Sequence, residues 1–169
     1  AASATKPTNV GTYQVVATVA ADANYNSASS SALAFTISAA SLTITANDAT
    51  RVFGTTLTGG SGSTSFTSSG LQNGETVGAV TLSYASNGNT ATNAVGVYAN
   101  AVTPSAATGG TFSANNYTIT YNTGTLTVTT KTLTVTSAAG SNKVYDATTT
   151  ATITGILSGV VNSDVISLV

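Results

Sequence analysis

Leu42-Thr43-Ile44-Thr45, Leu126-Thr127-Val128-Thr129 and Leu133-Thr134-Val135-Thr136 are three versions of one pattern, an aliphatic residue alternating with threonine. Successive side chains of an extended strand point to opposite faces, so the pattern puts aliphatics on one face and hydroxyls on the other, as in a half-buried β-strand. Working outward, the same reading predicts strands over 13–19, 33–37, 79–84, 96–102, 117–121 and 149–154. Turn dipeptides separate them: Gly59-Gly60, Asn73-Gly74, Asn87-Gly88 and Gly109-Gly110. No window shows apolar residues at helical spacing, and the helix formers Glu, Gln, Lys and Arg are scarce. The expected fold is all-β. Six to eight short strands per module fit a two-layer β-sandwich of immunoglobulin-like size. The alternative is a β-grasp-like module with one short helical turn at 71–77.

Composition narrows function. Of the 169 residues, 5% are charged, the net charge is −1, and His, Cys, Met and Trp do not occur. Without His or Cys there is no Ser-His-Asp or Cys-His nucleophile pair and no usual zinc, haem or iron–sulfur ligand set. Four cations, Lys6, Arg51, Lys131 and Lys143, are too few to neutralise the phosphates of a nucleic acid. Apolar runs stay far below the ~20 residues a membrane-spanning helix needs, and no charged-then-apolar start reads as a signal peptide. Apolar residues reach 41%, which supplies a core and argues against disorder. The expectation is a protein with no catalytic role, no nucleic-acid partner and no membrane insertion.

The chain repeats itself at an offset of roughly 85 to 92 residues. Gly11-Thr12-Tyr13 aligns with Gly96-Val97-Tyr98, Asn24-Tyr25 with Asn116-Tyr117, and Phe35-Thr36-Ile37 with Leu126-Thr127-Val128. Leu42-Thr43-Ile44-Thr45 aligns with Leu133-Thr134-Val135-Thr136, and Arg51-Val52-Phe53-Gly54 with Lys143-Val144-Tyr145-Asp146. Gly70-Leu71-Gln72-Asn73-Gly74-Glu75 aligns with Gly159-Val160-Val161-Asn162-Ser163-Asp164. Blocks in this order divide the chain into the back half of a module (1–40), a complete module (41–130) and the front half of a third (131–169). The connectors, Ser38-Ala39-Ala40-Ser41 and Thr129-Thr130-Lys131, contain neither Gly nor Pro, so stiff joints are expected.

Lys143-Val144-Tyr145-Asp146-Ala147-Thr148-Thr149, with Gly155 and the stretch 159–165, resembles the YDG repeat of large bacterial surface and secreted adhesins. The whole module, with its Arg51-Val52-Phe53-Gly54 block, its 70–77 turn and Asn116-Tyr117-Thr118-Ile119, resembles the MBG-type repeat of the same filamentous-haemagglutinin-like proteins. The resemblance implies an extracellular or cell-surface tandem-repeat region of an adhesin stalk or filament. Its motif positions are Arg51, Phe53 and Gly54 in one module and Lys143, Tyr145 and Asp146 in the next. Expected partners are neighbouring modules of the same or identical chains, with strand complementation between chains. The alternative is a module that binds glycans or host and cell-surface proteins through loops or tyrosine faces.

Few residues suggest chemistry. Asp22-Ala23-Asn24-Tyr25-Asn26 offers oxygens from Asp22, Asn24 and Asn26 at the alternate spacing of a Ca²⁺ loop, or simply an Asx turn; no other cofactor is implied. Asp48, Glu75, Asp146 and Asp164 recur across modules, which suits turn-fixing or pairing with Arg51 or Lys143 better than a carboxylate pair for glycoside cleavage. Lys131 and Lys143 are candidate isopeptide donors, and Asn116-Tyr117-Thr118 is an N-glycosylation sequon within a strand. Finally, the Thr- and Val-rich strands carry almost no Lys or Pro to guard their edges, so the edges are expected to be occupied.

Overall fold

The computed structural model describes residues 6–168, so residues 1–5 of the first half-module and 169 of the last lie outside the described part. The fold is all-β. In chain order the strands are β1 (Gly11–Val15), β2 (Thr18–Val19), β3 (Ala28–Ser29), β4 (Leu33–Ile37), β5 (Ala40–Ala46), β6 (Ala49–Val52) and β7 (Gly60–Ser63). They continue with β8 (Phe66–Ser69), β9 (Val77–Tyr84), β10 (Gly96–Gly110), β11 (Tyr117–Asn122), β12 (Gly124–Thr129), β13 (Thr134–Gly140) and β14 (Ile153–Ser158). A single helical turn, α1 (Ser86–Asn89), precedes β10, and a 3-10 turn (Ala114–Asn116) precedes β11. The strands form a five-stranded sheet in the order β6-β12-β10-β9-β7, a three-stranded sheet β11-β5-β8, and three two-stranded sheets, β1-β4, β2-β3 and β13-β14. Multiple small sheets of this kind agree with β-sandwich-like modules.

The threonine-alternating pattern does what its period requires. In β5, Leu42, Ile44 and Ala46 are buried while Thr43 and Thr45 are not, and in β12 Leu126 and Val128 are buried while the intervening threonines are half exposed. Parallel pairing joins the front of the central module to its back. β11 lies beside β5 with Tyr117 opposite Ala40 and Tyr121 opposite Ile44, and β12 lies beside β6 with Leu126 opposite Ala49 and Val128 opposite Arg51. β1 with β4 and β10 with β12 are antiparallel.

Several sequence expectations are corrected. The helical turn that the β-grasp alternative put at 71–77 is instead a tight turn: Asn73 and Gly74 both have positive φ (52° and 71°) and the Glu75 amide donates to the Gln72 carbonyl at 2.9 Å. That is the type I′ pattern that Asn-Gly favours. The helical turn forms at Ser86–Asn89, around the other Asn-Gly pair. The strand expected over 149–154 starts only at Ile153, because Thr148 and Thr150 are drawn to the Lys143 ammonium. The strand expected over 13–19 breaks at Val16 and Ala17, where the Ala17 amide donates to Ser30 Oγ. β10 runs well past 102, with a register shift between Tyr98 and Val102 and a left-handed Asn100 (φ 56°). The Gly/Ser-rich β7 and β8 carried no apolar alternation to announce them.

The chain packs as two compact units. The first comprises the described part of Ala1–Thr45 with Ser61–Thr81 and Pro104–Asn122, and its buried side chains are Leu42, Ile44, Val80, Pro104 and Tyr117. The second comprises Ala46–Gly60, Leu82–Thr103 and the described part of Thr123–Val169, and it buries Leu82, Ala101, Val102, Leu126, Val128 and Arg51. Aliphatics of the central repeat fill both cores. Their counterparts one repeat away do not: Ile44 is fully buried, whereas Val135 is 49% exposed. Ile44→Ala is therefore expected to cost about 2–5 kcal/mol in urea unfolding, and Val135→Ala less than about 1 kcal/mol. Equal losses would contradict this placement of the core.

Candidate functional site

Arg51 is buried, at 3% exposure, and its guanidinium is satisfied by backbone carbonyls. Nε donates to the Gly88 carbonyl (2.9 Å), Nη1 to that of Thr55 (2.8 Å) and Nη2 to that of Thr90 (2.7 Å). The rigid five-donor fork of arginine suits a site in which carbonyls converge from two loops. Asn89 adds a second clasp between the same loops: its side chain accepts from the Leu57 amide (2.8 Å) and donates to the Leu57 carbonyl (2.9 Å). Among the described residues no acid pairs with Arg51, whose donors go to backbone carbonyls. Among the described residues the ion pair is Lys143 with Asp146, at 2.7 Å.

That pair organises the third module's loop. Lys143 Nζ also donates to the Thr148 hydroxyl (2.9 Å) and to the carbonyls of Thr148 (3.1 Å) and Thr150 (2.8 Å). Asp146 accepts from the Thr148 amide and hydroxyl, and Lys143, then Thr148, hold its carboxyl below the ordinary carboxylate range. Val144 and Tyr145, at the tip, are almost fully exposed.

The more informative geometry lies where one repeat meets the next. In the first unit the Asn116 side chain accepts from the Val10 amide (3.0 Å) and donates to Asn9 Oδ1 (3.1 Å). Beside it, the Tyr117 hydroxyl donates to the Glu75 carboxylate and accepts from the Gln72 amide (2.9 Å). The hydrogen bond to Glu75, followed by desolvation, raises the Tyr117 pKa. Asn9, Val10, Ile37, Gln72 and Tyr117 line one groove. In the second unit the 159–164 turn sits against the preceding repeat. A Cβ on Gly54 would come within 2.5 Å of a Val161 methyl, and Asn162 Nδ2 donates to the Ala91 carbonyl at 2.9 Å. Phe53, Val95, Leu133, Val160 and Val161 line the groove there.

The two junctions use equivalent positions. Val10 corresponds to Val95, and the 70–75 turn to the 159–164 turn. Both turns have two successive left-handed residues, Asn73 and Gly74 in one and Asn162 and Ser163 in the other, closed by Glu75 to Gln72 and Asp164 to Val161. Each begins at a glycine with φ near +100°, Gly70 or Gly159, whose Cα faces the carbonyl of Ser41 or of its counterpart Thr132. A side chain there would meet both an unfavourable φ and that oxygen.

Of the remaining sequence candidates, Asp22 closes an Asx turn, its Oδ1 accepting from the Asn24 and Tyr25 amides at 2.8 Å each. Asp48 brackets a strand corner by accepting from the Thr125 amide (2.7 Å). The sequon asparagine, Asn116, is the junction residue just described. Sequence reading did not single out Asn9, Asn89, Asn116 or Asn162 for these roles. The available signal was recurrence, Asn73 with Asn162 and Asn24 with Asn116, at turns that face a neighbouring repeat.

The Lys143–Asp146 loop yields a pH prediction. A carboxyl whose native pKa is depressed contributes stability above its unfolded value, near 3.9, and loses it as pH falls through the lower native value. The Thr148 amide resonance should hold its position down past pH ~3.9 and move only below it, and Asp146→Asn should abolish that transition. A midpoint at or above 3.9 in the native chain would contradict the pairing.

Three family models match consecutive stretches of the sequence. An MBG domain model covers residues 1–41, an MBG domain of YGX type covers 42–127, and a YDG domain covers 129–169. Comparison with curated proteins and with solved structures gives no match. These domains are repeats found in large bacterial surface proteins. The YGX-type match alone spans half of the chain, and its strands, buried Arg51 and repeated turn are those of the central module: the chain belongs to the MBG domain family.

Proposed function

We propose that this chain is part of the stalk of a bacterial surface adhesin or filament, a structural spacer without catalysis whose modules hold one another in register. The observation that carries the reading is the repeated junction. A turn of the same backbone conformation, starting from a left-handed glycine, lines a groove with residues of the preceding repeat in both units: Gln72 and Glu75 with Asn9 and Val10 in the first, Val161 and Asp164 with Phe53 and Val95 in the second. Connectors support it: two residues separate β4 from β5, and four separate β12 from β13. In the first unit β11 runs parallel to β5, and in the second β12 runs parallel to β6. The strands that lead out of the central module therefore run the same way as their partners that lead in, which suits a chain handing load from module to module.

Amide hydrogen exchange tests it on the full chain. Residues 38–39 and 130–133 should exchange slowly, at rates set by opening of the junctions rather than by free-loop chemistry. Asn116→Ala should speed exchange at 38–39 by about tenfold or more, and leave 130–133 unchanged. Connectors that exchange at the free-peptide rate in the unsubstituted chain would exclude a stiff spacer.

A further inference from the structure

Tension that passes along this chain enters the central module at Ala40, where β5 starts, and leaves it at Thr129, where β12 ends. Two parallel ladders lie between these points. β5 pairs with β11, from Tyr117 opposite Ala40 to Asn122 opposite Thr45, and β6 pairs with β12, from Leu126 opposite Ala49 to Thr129 opposite Val52. Parallel neighbours start at the same end of their ladder. A pull on Ala40 therefore drags β5 towards its own start, while a pull on Thr129 drags β12 towards its end, and in each ladder the partners are made to slide past one another. Sliding loads all the main-chain bonds of a ladder together. Strands pulled apart from one end open like a zipper instead, and their bonds break one after another.

Covalent connections offer no short route around the ladders. β5 leads into β6 through Asn47 and Asp48, and β11 into β12 through Thr123. Load reaches Thr129 either across β5–β11 and then along the back strands, or along the front strands and then across β6–β12. The remaining covalent path, residues 53–116, is folded and bears little while either ladder holds. In the second unit further bonds lengthen the ladder at both ends. The Asp48 carboxylate accepts from the Thr125 amide (2.7 Å) just before β6–β12, and the Phe53 amide donates to the Thr129 carbonyl (2.9 Å) just after it. Arg51 ties β6 to the rest of that unit, because β6 cannot slide without drawing the guanidinium off the carbonyls of Gly88, Thr55 and Thr90. We propose that the front–back seam of the central module is a mechanical clamp, two parallel ladders that resist tension in shear, with Arg51 anchoring the second. That function, which rests on reading the chain as a spacer in a stalk, belongs to these bonds rather than to the module at large.

Single-molecule force spectroscopy on the full chain tests the clamp. The native chain has no cysteine, so paired substitutions give unique attachment points. Handles at Ser38→Cys and Thr130→Cys, both exposed positions, pull the seam in shear. Handles at Ser38→Cys and the exposed Ser113→Cys pull β5 and β11 apart from the end at which both start. At one loading rate the first rupture should need several-fold more force in the shear arm than in the peeling arm, since forced unfolding reads the barrier along the pulled direction. Equal forces in the two arms overturn the proposal. Arg51→Lys keeps the charge without the five-donor fork, and it should lower the shear force while leaving the peeling force unchanged. A shear force that does not fall overturns the anchoring role. Amide exchange at the connectors separates the clamp from the spacer: slow connectors with equal forces remove the clamp and leave the spacer reading intact, whereas fast connectors remove the spacer reading itself.

Discussion

Everything else in this chain depends on parallel pairing between the front and the back of a repeat. β11 can reach β5, and β12 can reach β6, only after the chain has passed through the rest of the module, because parallel neighbours require a long crossover. The central module is therefore complete only when its first and last strands are both present. Loop closure over some 75 residues is an entropic cost set against main-chain bonds and burial of Leu42, Ile44, Leu126 and Val128. In the outer repeats the counterparts Phe35, Leu133 and Val135 are exposed.

Polar groups in the interior are handled without charge pairing. Arg51 is surrounded by carbonyls, Asn89 by the Leu57 backbone, and Tyr117 by Glu75 and the Gln72 amide. No buried side-chain nitrogen or oxygen among the described residues lacks a partner. A chain with so few ionisable groups spends them at loop corners: Asp48 at the β5–β6 corner, Asp146 with Lys143, Asp22 in its Asx turn. Threonine and serine cover the remaining surface with hydroxyls. That composition suits a repeat whose faces meet copies of themselves, since like-charged copies repel and neutral hydroxyl surfaces do not.

Much of the fold was legible because its signal is periodic. β5, β12 and β13 could be read from alternation alone, and the repeat placed the core of the central module. What sequence did not reveal follows from physics that a pattern cannot carry. Asn73-Gly74 and Asn87-Gly88 look alike, yet one closes a type I′ turn and the other sits in a helical turn, because Arg51 and Tyr98 pack against the second. β7 and β8 have no apolar face and exist through their neighbours. The junction residues Asn116 and Asn162 are ordinary turn residues by composition, and their role appears only when a preceding repeat supplies Val10 or Ala91. Arg51 was visible as a motif residue, but two of its carbonyl partners, Gly88 and Thr90, lie more than thirty residues away.

Direction of pairing at the front–back seam is the most exposed element of this account, and nuclear Overhauser effects measure it on the full chain. The contact pattern of parallel strands is expected between 40–45 and 117–122 and between 49–52 and 126–129. Close Hα–Hα contacts across either seam, the mark of antiparallel neighbours, would contradict it.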